Sequence, residues 1–174
     1  MAEPEHLLFV SHVTEDRPAA LDIVEELEGR GIPCWIAPRN IHPGRLFDDE
    51  IVAAIASSRA ILLIFSDLCN ESEYIRRQLA VAGESRKPVI PLRIEDAQPR
   101  RGLRARLSDL DWLDAFAGCE PAIDELVRRF GPVAAGLEPR LAEAGEPAAR
   151  GAAPRIAAPR AAGSPASEIG RAHV

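Results

Sequence analysis

The sequence predicts an α/β fold: a doubly wound parallel sheet of five strands with helices on both faces. Three observations predict it. Short apolar runs of strand length alternate along the chain with longer segments whose apolar residues recur at helical spacing. The runs 7–10 and 60–65 are apolar throughout, as strands covered on both faces must be. The connections between elements are short, which in a strand-helix alternation implies parallel neighbours joined by right-handed crossovers.

Leu7-Leu8-Phe9-Val10 is the first strand and ends in Ser11-His12. Thr14, Glu15 and Asp16 before Pro18 signal a helix start, and Ala20, Ile23, Val24 and Leu27 then fall at i, i+3, i+4 and i+7. Gly29 and Gly31 stop that helix, and residues 32–36 make the second strand. An exposed loop follows. Pro38 and Pro43 each fix φ and bias the residue before them to extended geometry, while Gly44 can take φ > 0, so the loop is expected to be stiff.

Phe47, Ile51, Ala54 and Ile55 mark the second helix, with Asp48, Asp49 and Glu50 suiting its amino-terminal dipole. Residues 60–65 are the most hydrophobic stretch and belong centrally, beside the first strand; Ser66-Asp67-Leu68-Cys69 is their exit. Asn70 and Glu73 are expected to cap a third helix that buries Ile75, Leu79 and Ala82. Pro88 opens a fourth strand over 89–94, and a polar, arginine-rich connection over 95–108 leads to a fifth strand at Leu110-Asp111-Trp112-Leu113. Ile123, Leu126, Val127 and Phe130 give the last helix its apolar face.

For five strands the common order is 2-1-3-4-5, the flavodoxin-like arrangement, with its switch point between the carboxyl ends of strands one and three. Ligands are expected there. The exits Ser11-His12-Val13 and Ser66-Asp67-Leu68 reach that crevice, roofed by the loop 35–44.

Residues 1–130 read as one domain. From 131 to 174 the composition turns to Ala, Pro, Gly and Arg, with five arginines against four glutamates, and disorder is expected. Residues 168–174 resemble a translated sequencing adaptor, so a non-native end is expected there. The formal charge of −6 argues against a nucleic-acid binder, and Arg100, Arg101, Arg104 and Arg106 lack the interleaved aromatics of a single-strand platform and read as a solvated connection. Cys34, Cys69 and Cys119 are scattered, without the spacing of a disulfide framework or a metal site. No apolar run approaches a membrane span and no signal peptide opens the chain, so a cytoplasmic location is expected.

Phe9-Val10-Ser11, the run Trp35-Ile36-Ala37-Pro38-Arg39-Asn40-Ile41-His42-Pro43-Gly44 and Asp111-Trp112-Leu113-Asp114-Ala115-Phe116 together resemble the bacterial branch of the TIR domain family, over residues 7–130. The resemblance implies that 35–44 is the BB loop, used for self-association and for gating a nucleotide site. Pro38, Arg39, Asn40, Pro43 and Gly44 would carry the interaction. It implies other TIR domains as partners, in bacterial signalling or anti-phage defence, and NAD+ as a possible ligand or substrate, with no required cofactor. The family's enzymes carry a Glu four residues after a Trp on the third helix. Here those positions are Tyr74 and Gln78.

Cleaving a nicotinamide glycosidic bond develops positive charge on the ribose, which a carboxylate stabilises. Gln78 keeps the hydrogen-bonding shape without the charge. The resemblance therefore implies a binder or scaffold with impaired turnover, and an NAD+ glycohydrolase or cyclase as the alternative, with Asp67 the one substitute carboxylate. Ser11, His12, Trp35, Arg39 and Ser66 are the candidate NAD+ contacts. Each has a plainer reading: Gln78 satisfying a loop carbonyl, His12 capping a helix, and Ser11 and Ser66 bonding turn backbone. Trp35 reads more readily as core, and Arg39 either grips a pyrophosphate or is a solvated charge. A receiver domain would need clustered acids after strand one and a Lys after the last strand, and a hydride-transferring enzyme a glycine-rich turn; neither is present. No nucleophile elbow or activated cysteine is visible.

Overall fold

Strands β1 (Leu8–Ser11), β2 (Cys34–Ile36), β3 (Ala60–Phe65), β4 (Val89–Arg93) and β5 (Leu113–Asp114) alternate with helices α1 (Arg17–Gly29), α2 (Phe47–Ser57), α3 (Glu73–Glu84), α4 (Arg101–Leu107) and α5 (Glu120–Ala135). This is a computed structural model, and it describes residues 6–41 and 47–135. The strands form one sheet in the order β2-β1-β3-β4-β5, as the alternation predicts, and every pairing is parallel. Val10 lies between Ile36 and Leu62, which places β1 inside the sheet.

Strand pleating sorts the core by residue parity. Ala60, Leu62 and Ile64 of β3 pack with Ala20, Ile23, Val24 and Leu27 of α1 and Ile123 and Leu126 of α5. The odd positions face the other way: Ile61 joins Phe9, Trp35, Ile51 and Ile55, while Leu63 and Phe65 join Ile75, Leu79, Leu103 and Leu107. Helices α1 and α5 therefore cover one face and α2, α3 and α4 the other. All six residues of β3 are buried, and each large apolar side chain there contributes ~1.5–3 kcal/mol by burial. The helix before β2 ends on Gly31 at φ 82°, with its amide on Glu28 and that of Ile32 on Leu27. Glycine is the residue that takes this turn without strain.

Three expectations are corrected. The amino-terminal cap of α3 is Ser72, whose hydroxyl accepts from the Ile75 amide at 3.2 Å, not Asn70. Asn70 instead buckles the chain from a distance, donating to Asp67 and to the Gln98 carbonyl and accepting from the Arg100 amide. The arginine-rich connection is not wholly solvated: it holds α4, which buries Leu103 and Leu107 with four-residue spacing. The fifth strand is shorter and later than the run 110–113, because Trp112 turns back, its indole N–H donating to the Leu107 carbonyl and its ring meeting Phe65 edge-on at 5.1 Å. The last helix continues to Ala135, one turn past the composition change at 130. Pro43 and Gly44 of the loop, and the segment 136–174, lie outside the described residues.

Candidate functional site

At the carboxyl ends of β1 and β3 the sheet opens into a cavity of about 550 Å³. Three segments wall it. The exit of β1 and the first turn of α1 supply His12, Val13 and Arg17; the start of the loop after β2 supplies Ala37 and Pro38; and the approach to α3 and the helix itself supply Leu68, Ser72, Tyr74 and Gln78. A short 3-10 turn over Asp67–Glu71 carries the chain from β3 to the Ser72 cap, which sets the rotation of α3 and with it the direction of Gln78.

Gln78 is 3% exposed, one turn after Tyr74 on the face of α3 toward the sheet. Its Oε1 accepts a hydrogen bond from Ser11 Oγ at 2.5 Å. Tyr74 stands one turn before Gln78; burial pushes its phenol up to about 12, hydrogen bonding with the Gln78 side chain acting in the opposite direction. The amide is thus held from β1 in the cavity wall, its oxygen on the Ser11 hydroxyl.

His12 spans two backbone segments. Nδ1 faces the Val13 carbonyl at 2.7 Å and Nε2 the Ala37 carbonyl at 3.2 Å. Carbonyls only accept, so a neutral ring can donate to one of them at a time. It ties the exit of β1 to the base of the loop and caps no helix.

The remaining candidates do not line this cavity. Trp35 is core: it is 5% exposed and stacks on Phe9 with centroids 4.9 Å apart and 13° between planes. Arg39 turns back to α1, its guanidinium holding Glu28 through two bonds of 3.0 and 2.6 Å and the Cys34 carbonyl at 3.0 Å. Asn40 braces the same turn, its Oδ1 accepting from the Ile36 amide and from Arg39 Nε. Ser66 is buried and donates to Asp16 Oδ2 at 2.5 Å. Partial burial raises the Asp16 carboxyl above its ordinary value, the Ser66 bond opposing that rise. Asp67 pairs with Arg100 at 2.5 Å and accepts from Asn70, so its charge is committed beyond the cavity.

Arg17, Ser72 and Tyr74 were absent from the sequence candidates. The Nε of Arg17 is buried and has no hydrogen-bond partner. An unmet buried donor costs ~1–3 kcal/mol, so this is an uncommon feature in a wall otherwise satisfied. Its one sequence signal is its place, the first residue of the helix that follows the switch-point strand. Thiol chemistry is not offered here: burial pushes Cys34 up to about 12 and Cys69 up to about 11, keeping both protonated at neutral pH. Among the described residues no helix is long and apolar enough to cross a membrane.

Comparison with known proteins agrees with this architecture. The model of the TIR domain family matches residues 8–127. The chain is 30% identical over 130 residues to the probable 2' cyclic ADP-D-ribose synthase BdTIR of Brachypodium distachyon. That alignment takes in 74% of this chain and 54% of the relative, so the chain spans about half the relative's length. Among solved structures, the TIR domain of the Toll-related receptor TRR-2 from Hydra magnipapillata is similar at TM-score 0.54 and 20% identity, over 71% of this chain and 89% of that one. The RPS4 and RRS1 TIR domain heterodimer gives TM-score 0.54 and 20% identity, over 74% of this chain and 97% of that one. At such identity the two structures speak for the fold alone.

Proposed function

The chain belongs to the TIR domain family, whose model accounts for residues 8–127, and from that premise we propose a signalling module that self-associates through the loop 35–44 and binds NAD+ without efficient turnover. The observation that carries this reading is Gln78. It occupies the cavity wall as a neutral amide hydrogen-bonded by Ser11, where ribose cleavage would call for a carboxylate. The described carboxylates in the lining, Glu15 and Glu71, lie on other segments, and Asp67 is taken up by Arg100. A wall with no charge at the cleavage position suits holding a dinucleotide better than breaking it.

The loop supports association in a different way. Arg39, Asn40 and the Glu28 carboxylate brace its first half from within, so the segment is preorganised and little conformational entropy is lost when a second surface meets it. Partners are then other TIR domains, as in the heterodimer of related fold. The setting we propose is cytoplasmic signalling or anti-phage defence in bacteria, in keeping with the branch of the family that the loop sequence resembles.

One observation favours a second reading. The relative from Brachypodium distachyon is named as a probable cyclic ADP-ribose synthase, so an NAD+ glycohydrolase or cyclase activity is the alternative. The test uses the full chain: NAD+ binding by calorimetry, nicotinamide release over time, and sedimentation across a concentration series. Binding without release, with assembly that grows with concentration, is expected. Steady nicotinamide release by the unmodified chain would establish the enzyme instead, and a monomer at every concentration would end the scaffold reading.

A further inference from the structure

Most arginines near the crevice are spoken for. Arg39 holds Glu28, Arg76 holds Glu73, Arg93 holds Asp114 and Arg100 holds Asp67. Arg17 is different. It lines the cavity, is partly buried, and its Nε is enclosed with no acceptor.

Charge balance within the protein does not explain it. Glu15 lines the same cavity two residues away, yet among the described residues Arg17 makes no ion pair with it or with Glu71. Asp16, next to it in the chain, gives its carboxylate to Ser66 and makes no capping bond to α1. With Nε enclosed and unpaired, and with no carboxylate partner, the Arg17 guanidinium on the cavity wall has its outer nitrogens left to meet an oxyanion.

Resting on the NAD+ reading above, we propose that Arg17 is the phosphate-binding residue of this site, its guanidinium donating to the pyrophosphate oxygens of the dinucleotide while Gln78 and Tyr74 face the other end of the ligand. Guanidinium is suited to this by its planar fork, which meets two phosphoryl oxygens at once. The assignment makes the cavity selective for phosphorylated ligands over free nucleosides, and leaves Arg39, the arginine of the loop, with a bracing role.

Three probes on the full chain test it: NAD+, nicotinamide riboside, which lacks the pyrophosphate, and inorganic pyrophosphate. Each is titrated by calorimetry against the unmodified chain, Arg17→Met and Arg17→Lys, with far-UV circular dichroism confirming the fold. Arg17→Met is expected to weaken NAD+ about 10- to 100-fold, from the loss of charge-assisted hydrogen bonds, and to flatten its salt dependence. Nicotinamide riboside should be unmoved, and Arg17→Lys should recover part of the loss. NAD+ binding that is indifferent to Arg17→Met, or an equal loss for NAD+ and riboside, overturns the assignment and leaves the NAD+ reading standing. Arg17-dependent pyrophosphate binding without any NAD+ binding would do the reverse. Binding of none of the three by the unmodified chain would overturn both.

Discussion

Replacing Gln78 by Glu exchanges one NH2 group for oxygen and adds one negative charge in the cavity wall. The site is partly prepared for it. Ser11 Oγ already donates to the side-chain oxygen at 2.5 Å, and a bond to an ionised acceptor is about twice as strong as one to a neutral amide. The second carboxylate oxygen would meet the Tyr74 hydroxyl, which can donate as readily as accept. Against this stands burial, since the residue is 3% exposed. The net cost to folding is expected at ~1–3 kcal/mol, or a melting temperature lower by about 5–10 °C. In exchange, a directed charge beneath the ribose is worth ~10²–10³ in rate. The assay is nicotinamide release from saturating NAD+ near neutral pH, with the full chain and Gln78→Glu side by side and circular dichroism on both. The two effects should run oppositely with pH. Ionisation turns the carboxylate on, so activity rises with pH through its pKa, while a buried acid with a raised pKa loses stability over the same interval. A folded, NAD+-binding Gln78→Glu chain that releases nicotinamide no faster than the unmodified one would refute the assignment of this position.

Four smaller tests follow from the same contacts. Ser72→Ala removes the cap that orients α3 and should cost about 1 kcal/mol in urea unfolding, whereas Ser72→Asp should be near neutral. Asp16→Asn keeps an acceptor for Ser66 but removes a partly buried charge: because the folded-state pKa is raised, the native chain loses stability as pH rises from the ordinary aspartate value of 3.8 through the raised one, so the variant should melt higher at pH 7, by about 2 °C at most, with the gain vanishing below that window. Arg39→Ala and Glu28→Ala break one ion pair from its two ends and should each cost less than about 1 kcal/mol; if both also weaken self-association in sedimentation, loop shape is what the partner reads, and if only Arg39→Ala does, the partner touches the guanidinium. Leu103→Ala should destabilise by ~2–5 kcal/mol, a loss too large for a solvated connection and in keeping with a helix seated on Leu63 and Phe65.

The sheet was the easy part to read. Parity along 60–65 and the spacing of Ile23, Leu27, Ile75 and Leu79 report burial directly, and strand order then follows from common topology. The crevice was legible for the same reason, being a consequence of that order. Its lining was not. Arg39 finds Glu28 eleven residues back, and Asp67 finds Arg100 thirty-three residues on. Pairings of that range leave no mark on local pattern, so Arg39 and Asp67, read as site candidates, are bonded to Glu28 and Arg100 instead of lining the cavity. Helix α4 escaped because its two buried leucines stand among arginines in only seven residues, too short a stretch for periodicity to show. Arg17 has only its place at the start of α1 as a sequence signal, since what distinguishes it is the absence of an acceptor for Nε.

The margins of the sheet bear on how copies of this chain can meet. Its outer strands, β2 and β5, are three and two residues long, while the longest strand, β3, lies inside. Edges so brief expose few unpaired amides and carbonyls. A second chain therefore has little backbone to continue from, and sheet extension is a poor route to assembly. Copies that stack must do so through side-chain surfaces of helices and loops, whose contacts dissolve when charge or shape changes. Self-association as proposed would then be set by charge and shape on those surfaces, and not by the backbone pairing that leads to cross-strand fibres.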